Sequence, residues 1–474
     1  MKTKKEASFI VALLPVLALA VILGVGFGVY RFSVEFLLLI SALFAGIIAM
    51  LYGTTWKEIS DAISEKVGKA FMAIFIFVFV GMIIGTWILS GTIPMLIYYG
   101  LKLLNPSLFL VSAFIITSIV SLCTGTSFGS AGTVGLALIG VAAGLGVNLG
   151  AAAGAIISGA YLGDKMSPLS DTTNLAPVAA GCTLFEHVGH MVYTTIPVSV
   201  ICLIVYFFAG RSSAVVSGVD VSVTLDMMTG LSSSFNFNVL LLLPLAIVLV
   251  GSIMGKPPIP VMFFASLTAM VLALIFQGNT LAETIAASYG GFKVSMINLV
   301  NPETLAPGVV TLLERGGMSS MMSTMLKVLC SFAFAGIMTA AGFMNIILAK
   351  LRTFAKSNGS LVLVTCIATV VVSIVAGNAY VPILLSGELF KEAFKERGLH
   401  AKNLSMILED AGTVIIPLVP WSAGGAYMAS TLGVSTFEYA PWAVLCYTGV
   451  IIAIIWGFLG VGLKPIETKK TTTA

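Results

Sequence analysis

One short stretch of the sequence gathers oxygen-bearing side chains inside an otherwise apolar region. It runs from Gly163 to Asn174 and has Pro168 near its middle. Because proline removes a backbone donor and clashes with the preceding turn, it predicts a break in a helix here. Carboxylate, hydroxyl and amide oxygens are ligands that small hard cations prefer, so the stretch is a candidate sodium site. Its candidate ligands are Asp164, Ser167, Ser170, Asp171, Thr172, Thr173 and Asn174.

Two further polar stretches could complete such a site. The first is the loop at 124–130, whose hydroxyls could face the broken helix from the other side. Its candidate ligands are Thr124, Thr126 and Ser127. The second stretch is Glu409-Asp410, in a helix that is interrupted again around Pro417. Adjacent helix residues point to different faces, so at most one of these carboxylates faces a shared cavity, and Asp410 is the candidate.

Several of these residues also have a structural interpretation. Lys165 could neutralise Asp164 in a buried ion pair, or it could be a counter-ion that keeps this carboxylate ionised while no cation is bound. Asp171 and Asn174 could cap the second half of the broken helix, and capping would not exclude ion binding. Both alternatives remain open at the level of sequence.

The surroundings of these residues are those of a membrane protein. Of the 474 residues, 58% are apolar and 9% are charged, and the mean hydropathy is +1.08. Soluble chains carry roughly a quarter charged residues. A transmembrane helix needs about 20 apolar residues, so the chain supplies about ten spans and leaves no room for a soluble domain. A net charge of +4 is too small to indicate nucleic-acid binding.

The sequence contains no motif of an enzyme or of a bound cofactor. The six cysteines are scattered singly. His187 and His190 lack the spacing of a zinc-binding helix, so sodium is the only metal ion expected and a transition metal is not. The glycines at 24–28 lie inside an apolar run and not between a strand and a helix, which argues against a dinucleotide site.

Hydropathy divides the first half of the chain, residues 1–210, into five crossings and one hairpin. Spans are expected near 9–29, 33–52, 69–90 and 188–209, with a broken helix at 149–182 as the fifth crossing. The hairpin at 107–146 follows an amphipathic arm and has the polar loop at its tip. Non-helical backbone at membrane depth is tolerated only against protein or a wet cavity, so this hairpin is expected to be re-entrant.

The second half, residues 237–474, repeats this plan after an external linker at 211–236. Spans are expected at 238–254, 259–276, 321–342 and 439–460, with a hairpin at 360–397 and a broken helix at 403–433. Matching residues recur in order: Gly125 with Gly377, Pro168 with Pro420, and Gly181 with Gly433.

Five crossings per half give the two halves opposite orientations, as in the inverted repeats of secondary transporters. The expected fold is an all-α polytopic membrane protein with two inverted repeats of five transmembrane helices, each with a re-entrant hairpin and a broken helix. In this topology, 17 of the 24 Lys and Arg residues lie on the same side of the membrane as the amino terminus, and six lie on the opposite side. The positive-inside rule therefore predicts that both termini are cytoplasmic.

Two segments carry a resemblance to a known family. Residues 125–135 (GTSFGSAGTVG) and 154–176 (GAIISGAYLGDKMSPLSDTTNLA) are similar to the central signature of the NhaC family of bacterial sodium/proton antiporters. The resemblance implies sodium binding at the tip and broken-helix positions named above. It also implies a cytoplasmic (inner) membrane location in a bacterium, elevator-type alternating access and a homodimer.

The resemblance leaves the second substrate open, because the family also includes malate/lactate exchangers. The second half offers hydrogen-bonding and aromatic residues for an organic substrate: Asn378, Tyr380, Trp421, Ser422 and Tyr427. Trp421 and Tyr427 could equally be packing residues. Two functions are therefore expected, neither of them enzymatic. One is exchange of sodium for protons at shared carboxylates, and the other is sodium- or proton-coupled transport of a small organic acid or amino acid.

Overall fold

The computed structural model describes residues 7–216, 221–301 and 305–466, and every secondary-structure element within these ranges, apart from one isolated β-bridge, is a helix. Nine of the described helices are long and apolar enough to cross a membrane, or up to twelve if each bent pair counts as one span. The predicted all-α polytopic membrane fold is confirmed. The amino-terminal residues 1–6 and carboxyl-terminal residues 467–474, to which part of the topology prediction applies, lie outside the described residues.

The described part of the first half contains eleven α-helices if the short helix at the hairpin tip and the helix before the second half are included. They are α1 (Phe9–Gly26), α2 (Val34–Leu51), α3 (Trp56–Leu89), α4 (Thr92–Leu103), α5 (Phe109–Thr124), α6 (Ser127–Ser130), α7 (Leu136–Gly144), α8 (Leu149–Met166), α9 (Asp171–Ala180), α10 (Leu184–Val216) and α11 (Val221–Ser234). A π-helical turn, Ala131–Gly135, joins α6 to α7.

The second half contains twelve α-helices among its described residues. They are α12 (Leu243–Ile253), α13 (Pro258–Phe276), α14 (Leu281–Gly290), α15 (Pro307–Leu313), α16 (Met322–Ala340), α17 (Phe343–Arg352), α18 (Asn358–Ala376), α19 (Tyr380–Glu396), α20 (Ala401–Leu408), α21 (Ala423–Leu432), α22 (Thr436–Tyr439) and α23 (Val444–Leu459). A second π-helical turn, Glu409–Thr413, continues α20. The axis bends by 45° between the α20 segment and α21.

The helices differ from the sequence prediction in three places. Helix α3 begins well before the span expected at 69–90, because a capping box of Thr55 and Glu58 starts it at Trp56. Helix α11 occupies part of the segment expected to be a linker. Helices α14 and α15 lie between two expected spans, where the sequence prediction had placed no helix.

Apolar side chains on the outer helices remain exposed, as a lipid environment requires. On α1, for example, Ile10 and Val21 are exposed, whereas Ala12 and Leu19 are buried. The buried polar residues concentrate instead on the inner helices and helix breaks: Asp164, Lys165, Glu409 and Asp410 are all more than nine-tenths buried. These charged side chains therefore lie in the protein interior and do not contact lipid.

Helix α8 packs tightly on α5 through glycines. A Cβ atom on Gly163 would lie 2.4 Å from both the backbone nitrogen of Leu122 and the carbonyl oxygen of Ser118. Ser121 Oγ also donates a hydrogen bond of 2.5 Å to the carbonyl oxygen of Ala160. Small residues let two helix backbones approach closely in membranes. This contact fixes the broken helix against the first arm of the hairpin.

We expect Gly163→Ala to destabilise the protein by about 1–3 kcal/mol, because the added methyl group meets backbone atoms that cannot rotate away. The thermal unfolding midpoint of the purified protein in detergent would fall. Gly189→Ala on α10 is the matched control, since its Cβ would meet nothing within 4 Å. An unchanged midpoint for Gly163→Ala would contradict the close contact.

Candidate ion-binding site

The first broken helix is interrupted at 167–170, as Pro168 predicts. Helix α8 ends at Met166, and Ser170 is the N-cap of α9, where its side chain accepts from the backbone N–H of Thr173. The Thr173 hydroxyl in turn donates to the carbonyl oxygen of Asp164 at 3.0 Å. Ser167 donates to the carbonyl oxygen of Leu122 at 2.8 Å, which ties the break to the first hairpin.

Both hairpin tips begin with a glycine in the left-handed region. Gly125, with φ 66°, ends α5, and Gly377, with φ 65°, ends α18. A residue with a Cβ atom is strained in this conformation, so glycine is favoured at each turn. Thr126 then accepts from the N–H of Gly129, and Asn378 accepts from the N–H groups of the two residues that begin the next helix.

A cavity of about 460 Å³ lies between the first hairpin tip, the broken helices and the second hairpin tip. Eight of the predicted site residues line it: Thr124, Thr126, Ser127, Asp164, Asp171, Thr172, Asn378 and Tyr380. The cavity extends to the α12–α13 loop, where Lys256 and Pro257 line its wall. Residues from both halves of the chain, which are distant in sequence, therefore meet at one place.

Asp164 faces this cavity without a charged partner. Its side chain is 6% exposed, and its Oδ1 atom has no hydrogen-bond partner among the described residues. Ser127 and Ser170 are close enough to interact with the carboxylate. A buried carboxylate with an unused oxygen can accept a cation or a proton, because either would remove the cost of an isolated buried charge.

Asp171 joins the first half of the chain to the second. Its Oδ2 atom accepts a hydrogen bond from the Tyr380 hydroxyl, and its Oδ1 atom accepts from the N–H of Thr172 at 3.0 Å. Asp171 is exposed and lies at the first turn of α9, where the helix dipole favours a negative charge. Asp171 therefore lies at the start of α9, as the structural interpretation expected, and also lines the cavity.

Lys165 pairs with Asp410 and not with Asp164. The distance from Lys165 Nζ to Asp410 Oδ1 is 2.5 Å, and both side chains are almost completely buried. The close approach of Gly449 leaves little free space here, since a Cβ on that residue would lie 3.1 Å from Asp410 Oδ1. Neither Lys165 nor Asp410 lines the cavity. Of the two interpretations of Lys165, a buried ion pair is present, but its partner is Asp410 in the second broken helix and not Asp164.

Glu409 is a buried carboxylate that the sequence analysis set aside in favour of Asp410. Its Oε1 atom accepts from the Thr172 hydroxyl at 3.2 Å, and its Oε2 atom has no partner among the described residues. The π-helical turn at Glu409–Thr413 turns its side chain toward the first broken helix. The two adjacent acidic residues indicated a possible site in the sequence. No residue in the sequence indicated the π-helical turn that decides which of the two faces the first broken helix.

The other predicted residues have local roles and do not line the cavity. Asn174 donates to the carbonyl oxygens of Pro168 and Ser170. Ser422 is the N-cap of α21, and the indole of Trp421 donates to the carbonyl oxygen of Ile374 at 2.9 Å.

The Tyr427 ring also packs and does not face the cavity. It stacks on Phe128 at a centroid distance of 4.3 Å, and its hydroxyl donates to the Phe128 carbonyl at 2.6 Å. The contact joins α21 to the first hairpin tip. Of the two interpretations that the sequence allowed for Tyr427 and Trp421, substrate contact and packing, the structure therefore favours packing.

Most polar side chains that line the cavity carry oxygen atoms, which suit a small hard cation, and Lys256 and the Asn378 amide add nitrogen atoms. Within residues 7–216, 221–301 and 305–466 no group of three or more His, Cys, Asp or Glu side chains is arranged to hold a metal ion. His187 Nδ1 instead forms a 2.5 Å hydrogen bond with Ser405 Oγ, and Glu186 Oε1 lies 3.4 Å from His400 Nε2. A cation in this cavity would therefore be held by carboxylate, hydroxyl and carbonyl oxygens.

Known proteins are similar to this chain over nearly its whole length. The Na+/H+ antiporter family model matches residues 6–182 and 159–461. An uncharacterized Na+/H+ antiporter of Haemophilus influenzae is 45% identical over 453 residues, which is 96% of either chain. The Na+/H+ antiporter NhaC of Alkalihalophilus pseudofirmus is 36% identical over 98% of either chain. A malate-2H+/Na+-lactate antiporter of Bacillus subtilis is 35% identical over 90% of this chain and 89% of its own. The resemblance read from the two sequence segments is confirmed, and the chain belongs to the Na+/H+ antiporter family.

Proposed function

We propose that this protein exchanges sodium for protons across the cytoplasmic membrane of a bacterium. The observation that carries the proposal is the pair of carboxylates, Asp164 and Asp171, that line one cavity and form no ion pair with a basic side chain among the described residues. A site that holds either a sodium ion or a proton on the same carboxylate, but not both, enforces exchange of one for the other. Family membership supports this assignment.

The mechanism that we propose is elevator-type alternating access by two inverted repeats. Equivalent glycines with positive φ support the repeat: Gly146 (66°) and Gly398 (68°) follow the hairpins, and Gly181 (92°) and Gly433 (71°) end the second parts of the broken helices. In this scheme the hairpins and broken helices form the moving unit. The first helices of each half form the scaffold, through which a homodimer would assemble.

The direction in which the cavity opens follows from the proposed topology. The α12–α13 loop lines the cavity, and the positive-inside rule places Lys256 in this loop on the cytoplasmic side together with both termini. The structure would then correspond to the inward-facing state. Sodium from the cytoplasm would reach Asp164 through this opening, and protons would arrive after movement of the unit to the other side.

A second candidate function is coupled transport of a small organic acid or amino acid. The cavity volume of about 460 Å³ supports it, because small-molecule sites typically measure about 300–1,000 Å³. The 35% identity to a malate-2H+/Na+-lactate antiporter also supports transport of a small organic acid. Asn378 and Tyr380 would supply hydrogen bonds at the second hairpin tip.

Proteoliposomes that contain a pH-sensitive dye test the two functions directly. A sodium pulse alone should move protons in the wild-type protein, and Asp171→Asn should abolish the response because a neutral amide cannot balance the charge of bound sodium. The variant should remain inserted and folded, as judged by gel filtration. If Asp171→Asn retains the sodium-driven response, Asp171 does not belong to the site.

The same vesicles then receive sodium together with a panel of small carboxylates and amino acids. A dye response that needs one of these compounds would assign coupled transport of that compound and would refute simple sodium/proton exchange. A response to sodium alone, unchanged by every compound, would refute the second candidate.

A further inference from the structure

The cavity beside Asp164 and Asp171 is much larger than a sodium ion requires. Its volume is about 460 Å³, whereas one water molecule in the liquid takes up about 30 Å³. An ion with a few waters would fill only part of this space. The remainder has the dimensions of a pocket for a small organic molecule.

The lining of the cavity is divided into an acidic end and an apolar wall. Asp164 and Asp171 are close enough to interact, and the part of the cavity that they line is its acidic end; Thr413 also lines the cavity. The apolar wall includes aliphatic and thioether side chains: Ile74, Ile76, Val248, Val261 and Met262. Lys256 is the one basic residue in the described lining, and Lys165 is engaged with Asp410 outside it.

Polar groups at the acidic end have unused hydrogen-bonding capacity. Asp164 is 6% exposed and Thr413 is 2% exposed, and Asp164 Oδ1 and Thr413 Oγ1 both lack a partner among the described residues. Buried polar atoms in native proteins are nearly always satisfied, by protein, water or a ligand. These two atoms therefore indicate a place where a hydrogen-bond donor with positive charge would bind.

We propose that this cavity binds a primary ammonium ion that carries an unbranched apolar chain. The ammonium group has three N–H donors, which match the oxygens of Asp164, Asp171 and Thr413. The chain would lie along Ile74, Ile76 and Met262, where its burial adds affinity. Because the same carboxylates would hold sodium, this inference rests on the proposed function, and the ammonium ion competes with sodium.

An anion of the same shape is disfavoured at this end of the cavity. Its charge would face Asp164 and Asp171, and like charges in a site of low dielectric constant repel strongly. Lys256 is the one basic residue in the described lining, so the two carboxylates outnumber it. Discrimination between a cationic and an anionic head group therefore distinguishes this site from simple partition of an alkyl chain.

Isothermal titration calorimetry on the full-length protein in lipid nanodiscs tests the inference. The ligands are ethyl-, butyl- and hexylammonium chloride, with alkanesulfonates of the same chain lengths as anionic controls and empty nanodiscs for subtraction. We expect affinity to rise about fourfold for each added methylene of the ammonium series, from about 0.8 kcal/mol per methylene. The sulfonates should not bind.

Variants separate the head-group contact from the wall contact. Asp171→Asn should remove ammonium binding at every chain length, whereas Ile76→Ala should reduce the gain from butyl to hexyl at least twofold. Ile196→Ala is the matched control, because Ile196 is exposed on α10 and does not line the cavity. Thermal unfolding midpoints establish that each variant is folded, and Asp164→Asn replaces Asp171→Asn if the latter does not fold.

Four results would overturn the inference: no binding of any alkylammonium ion, equal binding of sulfonates, affinity that does not depend on chain length, or a chain-length gain that Ile76→Ala leaves unchanged. Calorimetry measures binding without transport. A wild-type protein that binds hexylammonium but moves no protons in vesicles would refute only the proposed exchange. A protein that exchanges ions but binds no alkylammonium would refute only this inference.

Discussion

Asp164→Asn should abolish sodium-dependent proton movement and, in sodium-free buffer, leave the protein at least as stable as the wild type. The wild-type carboxylate is 6% exposed and one of its oxygens has no partner, so the amide removes an unfavourable buried charge. The same change removes the charge that offsets sodium. We expect sodium affinity to fall more than about 100-fold, since an uncompensated ion in the membrane interior costs several kcal/mol.

The measurement is the thermal unfolding midpoint of the purified protein as a function of sodium concentration. A ligand that binds the native state raises the midpoint in proportion to the logarithm of its concentration, so the wild type should be stabilised and Asp164→Asn should not. Asp61→Asn is the matched control, because Asp61 is exposed near the start of α3 and lies outside the cavity. A sodium-dependent shift that persists in Asp164→Asn would exclude Asp164 as a ligand.

Lys165→Met should destabilise the protein by about 3–5 kcal/mol, because it leaves Asp410 as a buried charge without a partner. The expected readout is a lower midpoint in thermal or denaturant unfolding in detergent. A second substitution, Asp410→Asn in the same chain, removes the uncompensated charge. We expect the double variant to recover most of the lost stability.

The double variant also separates a structural role of this pair from a role in transport. Because neither residue lines the cavity, sodium-driven proton movement by Lys165→Met/Asp410→Asn should remain. Loss of exchange in a folded double variant would show that Asp410 or Lys165 takes part in ion binding, as the sequence analysis had considered. An unchanged midpoint for Lys165→Met alone would contradict the buried pair.

The break in the first broken helix could be predicted because its cause is local. Pro168 cannot donate a backbone hydrogen bond, and Ser170 is a residue type that caps helices, so the sequence alone locates the end of α8 and the start of α9. The hairpin tips are local in the same way, since Gly125 and Gly377 occupy left-handed turns. Eight predicted site residues consequently do line the cavity.

Partners across the two halves could not be predicted, because they depend on packing between distant segments. Nothing near Lys165 in the sequence indicates that its partner is Asp410 and not the adjacent Asp164. Likewise, the π-helical turn that orients Glu409 adds one residue per turn without a proline or another breaker to mark it. Helices α14 and α15 were missed because they are short and a hydropathy window reports only long apolar runs.

The buried Lys165–Asp410 pair also constrains how the protein is made. The two residues are 245 positions apart. At a synthesis rate of about 5–20 residues per second, Lys165 leaves the ribosome roughly 12–50 s before Asp410 does. During that interval the first half must enter the bilayer with an ammonium group that has no carboxylate from the π-helical turn after α20. Insertion of the two halves is thus ordered in time, and the first half reaches its final electrostatic balance only when the second has been translated.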